Sequence, residues 1–294
     1  MKILVTGANG QLGCSIQNIS ELYDISLILT DSEQLDITIL ESVDKIIEEA
    51  RPDIIVNAAA YTAVDKAEEE EALATKVNVT GPHNLAVIAD RYEIPLIHVS
   101  TDYVFDGSET KPYHPYDKSN PQGIYGKTKW MGEEAVRNNL TQHVIVRTAW
   151  VFSEYGNNFV KTILNLSTSR EELGIIADQY GCPTYAGDLA KCILDIAIKI
   201  NSCESIEWGT YHYCGDMATS WHGFTRAIVA DARDFGIIKD LPVINAIKSS
   251  DYTFKTPRPE FSVLDCSATE ESWGVKPSNW RNSLVRVIEK LSSQ

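Results

Sequence analysis

Residues 2–6 read Lys-Ile-Leu-Val-Thr, and Gly7-Ala-Asn-Gly-Gln-Leu-Gly13 follows at once, ahead of a helical pattern that runs to Leu22. An apolar strand, a glycine turn and a helix in that order leave few folds open. Glycines at 7, 10 and 13 let the backbone turn sharply and approach a pyrophosphate, whose charge then meets the N-terminus of the helix. A tight strand–helix turn alone would use the same glycines. A second strand, Ser26–Thr30, ends at Asp31 and tips the reading toward a dinucleotide site. Asp31 stands eighteen positions after Gly13, where a carboxylate accepts from the adenosine ribose and repels a 2′-phosphate. NADH is therefore the expected cofactor and NADPH the alternative; the competing reading of Asp31 is an ordinary turn residue.

Strand and helix go on alternating. Residues 39–50 have helical period, Arg51-Pro52-Asp53 is a turn, and Ile54–Asn57 is a third strand. Residues 72–92 read as a long helix, 95–100 as a strand, 125–138 as a helix, 143–147 as a strand and 158–166 as a helix. Between them, residues 106–123 form a loop rich in Pro, Gly, Asp and Tyr. Such alternation predicts an α/β chain with a doubly wound parallel sheet covered on both faces. After about residue 170 the pattern loosens: a loop at 181–184, helices at 186–200, 221–235 and 280–291, a strand at 211–214 and a polar, Pro-rich stretch at 249–261. The expectation is a nucleotide-binding domain over residues 1–170 and a smaller substrate-binding α/β subdomain over 171–294, with interleaved segments.

The bulk numbers exclude more than they assign. The 294 residues are 44% hydrophobic and 23% charged, as in a soluble globular protein, and the net charge is −15. That balance argues against nucleic-acid or anionic-membrane partners, so a phosphate site has to be built locally from backbone N–H groups and a few bases. The run Glu68-Glu69-Glu70-Glu71 reads as the solvated start of a helix. Six cysteines (14, 182, 192, 203, 214 and 266) contain no C-x-x-C pair and read as buried thiols. The chain enters a strand directly and shows no signal peptide or membrane span, so a cytoplasmic protein is expected.

The chemistry gathers in two places. Tyr125 and Lys129 are four residues apart, on one face of a helix and one turn from each other. A nearby ammonium favours tyrosinate, so Lys129 is expected to bring the Tyr125 proton into play near neutral pH. The bland reading is a Tyr packed beneath a surface Lys. Ser100-Thr101-Asp102-Tyr103 ends the fourth strand, where a hydroxyl can donate to a substrate carbonyl as charge develops; Thr101 is the first choice and Ser100 the competitor. Small residues after Asn57 leave room for a flat cofactor, although tight helix packing would ask for the same composition.

On these motifs the chain resembles the extended short-chain dehydrogenase/reductase family. The general signals are the glycine loop and the Tyr125/Lys129 pair. Narrower ones are Asn57-Ala-Ala-Ala-Tyr-Thr-Ala-Val-Asp-Lys-Ala-Glu68, residues 100–107, Arg147-Thr-Ala-Trp-Val151, Gly156-Asn-Asn-Phe159, Asp178-Gln-Tyr-Gly-Cys-Pro-Thr184 and Arg258-Pro259. The resemblance covers nearly the whole chain. It implies a Rossmann-type fold and reduction of a dTDP-linked 4-keto-6-deoxy sugar at C4, toward a rhamnose precursor of cell-surface polysaccharide. It implies that Tyr125 protonates the C4 oxygen, Lys129 holds the nicotinamide ribose and Thr101 polarises the carbonyl. Gly7, Gly10, Gln11, Leu12 and Gly13 would meet the pyrophosphate, Asp31 the adenosine ribose, and Asp36 and Ile37 the adenine side. Ala60, Tyr61 and Thr62 would line the cofactor. Asp102, Tyr103 and Trp150 would contact the sugar nucleotide, and Arg258 its diphosphate. Some members place Glu side chains around a Mg²⁺ ion linked to dimer formation. Two of those positions are Ser15 and Gly187 here, and Asp188 is one residue out of step, so a metal-independent monomer or homodimer is expected.

Overall fold

The computed structural model describes residues 1–202 and 205–293; Cys203 lies outside the described residues. Five strands come early: β1 Lys2–Thr6, β2 Ser26–Thr30, β3 Ile54–Asn57, β4 Leu96–Thr101 and β5 His143–Thr148. Three more follow, β6 Glu172–Ile176, β7 Gly209–His212 and β8 Val243–Ile247. The main sheet is parallel throughout, in the order β7-β5-β4-β3-β1-β2. Its inner strands are apolar runs because both faces are covered. Ile3 and Val5 point to one face and Leu4 to the other, following the two-residue period of a strand.

Helices α1 Gln11–Ile19, α2 Leu40–Ala50, α3 Gly81–Arg91 and α4 Ile124–Asn139 supply most of the cover. They are followed by α5 Phe159–Ser167, α6 Ala186–Ser202, α7 Trp221–Asp234 and α8 Trp280–Ser292. Leu12 and Ile16 of α1 share one core with Leu189, Ile193 and Ile196 of α6. Val43, Ile47, Leu85, Ile88 and Val136 build the opposite face from α2, α3 and α4. Truncating one of these fully buried side chains to Ala costs about 2–5 kcal/mol, transfer and cavity terms together. A third cluster joins α5, α7 and α8, and beside it β6 pairs in parallel with β8. The expected helix over 72–92 is present, but Lys76–Thr80 winds as a π-helix. The expected strand at 211–214 is β7, two residues earlier. Residues beyond 170 enter the main layers, β7 as an edge strand and α6 against α1.

Strand order reverses between β1 and β3: β2 lies outside β1, and β4, β5 and β7 lie outside β3. Chains that leave such a point diverge to opposite faces and open a crevice beyond the strand ends. Here the Thr6 hydroxyl donates to Asn57 Oδ1 across it at 2.7 Å. No helix among the described residues is long and apolar enough to cross a membrane.

Candidate active site

The crevice floor is the glycine turn. Gly7 has φ of +68°, and a Cβ there would lie 2.7 Å from the Ala59 nitrogen. At Gly13 a Cβ would lie 2.5 Å from Ala8 Cα, so α1 rests directly on the turn. Gly10 differs: it is exposed, it caps α1 without any side-chain acceptor, and a Cβ would meet only the Gly7 carbonyl oxygen, at 3.3 Å. Two glycines serve packing and the third keeps the helix N-terminus open, which is the arrangement a pyrophosphate needs. Gln11 Oε1 accepts from the Ser153 hydroxyl at 2.9 Å and from Asn158 Nδ2 at 3.1 Å, which fixes its carboxamide. Leu12 is core and offers only backbone.

Asp31 ends β2 as expected and also caps the following turn. Its Oδ1 accepts from the Glu33 and Gln34 N–H groups at 2.9 and 3.2 Å, and its Oδ2 from Asn9 Nδ2 at 2.6 Å. Asp36 accepts from Thr38, which holds its carboxyl below the usual range. The Ile37 side chain is buried against Gly81, and its carbonyl accepts from Asn84 at 3.0 Å. Ala60, Tyr61 and Thr62 follow β3 along the crevice. Asn78, inside the π stretch, binds both sides of the Tyr61 backbone, at 2.8 and 3.1 Å, and reaches the Thr128 hydroxyl at 3.1 Å. Sequence reasoning missed Asn78, because π winding leaves no mark on apolar spacing.

The second half of the site begins where β4 ends. Thr101 and Asp102 are buried at that end, and α4 brings Tyr125 over them. The Tyr103 and Tyr125 rings meet edge to face with centroids 5.5 Å apart. Burial raises the Tyr125 pKa above its ordinary value, while a hydrogen bond with the Thr101 hydroxyl opposes the rise. The net direction is opposite to the lowering expected from Lys129. The Lys129 ammonium is turned down to the Val99 carbonyl, 2.7 Å away, and burial brings its own pKa to about 8. One turn further on, Glu133 is fully buried in a bidentate pair with Arg147, at 2.9 and 2.7 Å, and receives Arg137 at 2.6 Å.

The polar stretch at 249–261 crosses the mouth. Asp178 holds the Ser249 N–H at 2.9 Å at one end, and Ser262 N–H donates to the Tyr180 carbonyl at 2.8 Å at the other. Between them Arg258 donates to the Tyr103 hydroxyl at 3.1 Å and pairs with Asp65 at 2.7 Å. Trp150, at φ of +48°, stacks on Trp221 with centroids 3.4 Å apart and presses on Gly181. A left-handed aromatic residue costs about 1–3 kcal/mol and survives where its surroundings over-determine it, often at a binding site. The acidic run is exposed yet partnered: Glu68 accepts the Ile124 N–H at 2.9 Å, Glu69 pairs with Lys255 at 2.7 Å, and Glu70 accepts from the Tyr61 hydroxyl at 2.7 Å. The sequence alone read it as a solvated helix start.

A doubly wound parallel sheet, an open glycine turn at its reversal point and a Tyr–Lys helix over a strand-end Thr define a Rossmann-type oxidoreductase. The family model described as "RmlD substrate binding domain" matches residues 1–293. A curated dTDP-4-dehydrorhamnose reductase from Aggregatibacter actinomycetemcomitans is 41% identical over 97% of this chain and 98% of its own. The crystal structure of such a reductase from Clostridium acetobutylicum superposes with a TM-score of 0.91 at 39% identity, covering 99% of each chain. One from Bacillus anthracis, solved in complex with NADP, gives 0.88 at 34% identity over 98% of this chain and 99% of the other. The chain belongs to the dTDP-4-dehydrorhamnose reductase family.

Proposed function

We propose that this chain reduces dTDP-4-dehydro-L-rhamnose to dTDP-L-rhamnose at the expense of a reduced nicotinamide dinucleotide. The observation that carries the reading is the meeting of Thr101, Tyr125 and Tyr103 beneath Arg258, next to a glycine turn whose open face fits a pyrophosphate. The reduced nicotinamide supplies the hydride to C4. Tyr125 gives its proton to the C4 oxygen, and its burial keeps that proton in place until charge develops on the acceptor. Thr101 polarises the same oxygen. Lys129 spends one N–H on Val99 and keeps its others for ribose hydroxyls. Arg258 offers a planar fork to the diphosphate, the one strong local cation that an acidic chain needs there. Tyr103 and the Trp150 face hold the sugar, and Asp102, buried beside Thr101, acts through that hydroxyl. The α5, α7 and α8 cluster with the segment over the mouth forms the sugar-nucleotide side of the crevice.

Asp31 supports NADH as the preferred reductant through its carboxylate at the ribose end. Its hydrogen bonds to the turn support the alternative, a capping role compatible with NADPH. The test is oxidation of NADH and of NADPH with dTDP-, UDP- and GDP-4-keto-6-deoxy sugars. Stoichiometric cofactor oxidation with the dTDP sugar is expected. Turnover without net oxidation would mark an epimerase, and no turnover at all a non-catalytic member.

A further inference from the structure

We propose that Asp102 is a proton-holding positioning residue: protonated, it frees the Thr101 hydroxyl to donate toward the substrate carbonyl, and ionised, it captures that hydroxyl. The inference rests on the roles proposed for Thr101 and Tyr125 above. A hydroxyl has one proton to give. Thr101 already accepts from the Tyr103 N–H at 3.3 Å, and its two remaining neighbours are Asp102 Oδ1 at 3.1 Å and the Tyr125 phenol. A carboxylate can only accept. With Asp102 ionised, the Thr101 proton therefore points at Asp102. That proton is then turned away from a carbonyl lying over Tyr125. With Asp102 protonated, its O–H donates to Thr101, and the Thr101 proton becomes available to the substrate oxygen beside that of Tyr125.

The surroundings favour a proton on Asp102. The residue is 2% exposed, and its Oδ2 has no well-formed hydrogen bond among the described residues. It makes no ion pair among them either. The groups facing it are the Tyr125 phenol from α4, the Tyr103 ring on its own turn and the Ser262 hydroxyl from the segment over the mouth. The Arg258 guanidinium is held by Tyr103 and Asp65 and makes no ion pair with Asp102. Burial therefore prevails over the Ser262 and Thr101 hydrogen bonds and raises the carboxyl to about 6. Tyr125 keeps its proton throughout that range, and Lys129 titrates near 8, so the three groups are separable.

The test is kcat/KM for reduction of the dTDP-4-keto-6-deoxy sugar from pH 5 to pH 9, in wild type, Asp102→Asn and Thr101→Val. Wild type should fall about tenfold per pH unit above the Asp102 pKa. Asp102→Asn, whose amide cannot ionise, should be slower below pH 6 and lack that falling limb. Thr101→Val, without the hydroxyl, should lose rate and lack the limb too, which keeps the test open if Asp102→Asn does not fold. The same limb surviving in a folded Asp102→Asn or Thr101→Val overturns the proposal. Wild type that consumes no reduced cofactor at any pH overturns the underlying reduction itself.

Discussion

Arg258 Nη2 lies 2.7 Å from the Asp65 carboxylate while its Nη1 donates to the Tyr103 hydroxyl at 3.1 Å, so one guanidinium ties the short helix Val64–Ala67 to the turn after β4. Both contacts hold the fork in place for the diphosphate proposed above. Arg258→Lys keeps the charge and loses the fork. Charge-assisted hydrogen bonds are worth about 1.5–3 kcal/mol, so KM for the sugar nucleotide should rise roughly ten- to a hundredfold with a smaller change in kcat. Steady-state kinetics at saturating reduced cofactor would show it, and an unchanged KM would remove Arg258 from the diphosphate site.

Glu68 acts at a distance from its place in the chain. Gly123 has no side chain with which to cap α4, and Glu68 Oε1 takes the first N–H of that helix, at Ile124. Tyr125 is the next residue. Losing a typical cap corresponds to a rate change of roughly fivefold if it is expressed at the reacting centre. Glu68→Ala should lower kcat by about that factor and leave cofactor affinity alone, with Glu68→Gln recovering part of it. Equal kcat in all three proteins would confine Glu68 to the solvated role read from sequence.

How much of this was legible follows from range. The β1–glycine–α1 unit and the Tyr125/Lys129 pair are local patterns, and their residues stand where spacing places them. The partners were not legible. Lys129 faces Val99, thirty residues away, because strand β4 runs directly beneath α4. Trp150 needed Trp221 and Gly181, and Glu68 needed the bare N-terminus behind Gly123. β6 and β8 pair across a long separation and carry too few alternating apolar positions to announce themselves. Long-range hydrogen bonds of this kind leave no periodic trace in a chain.

On the buried side of α4, Glu133 shares its carboxylate between Arg147 and Arg137. Those guanidinium groups hold its pKa at about 2 against burial, from an ordinary 4.5. A depressed carboxyl contributes stability that is present above the unfolded-state value and lost as pH falls through the folded one, here between roughly pH 4.5 and pH 2. Glu133→Gln leaves Arg147 unpaired and should cost about 3–5 kcal/mol at pH 7. In urea titrations the gap to wild type should narrow as pH falls through that window. A gap independent of pH would mean the pair contributes by shape alone.

The two positions expected to lack metal ligands are otherwise engaged. Ser15 is buried and donates to the Gln11 carbonyl at 2.8 Å, and a Cβ at Gly187 would lie 2.4 Å from the Tyr185 ring. Asp188 accepts from Ser283 at 2.6 Å. Dialysis against EDTA should therefore leave turnover unchanged. Loss of activity that Mg²⁺ restores would contradict a metal-independent reaction.

In the proposed reaction the Tyr125 phenol, set over Thr101 at the C-terminal end of β4, delivers the proton to the reduced carbonyl. The most direct measurement of this step is the single-turnover rate of reduced-cofactor oxidation by Tyr125→Phe with the dTDP-4-keto-6-deoxy sugar, alongside cofactor affinity. The rate should fall by roughly 10²–10⁴-fold, with cofactor affinity within about twofold of wild type. A Tyr125→Phe enzyme that oxidises the cofactor at the wild-type rate would contradict that role for Tyr125.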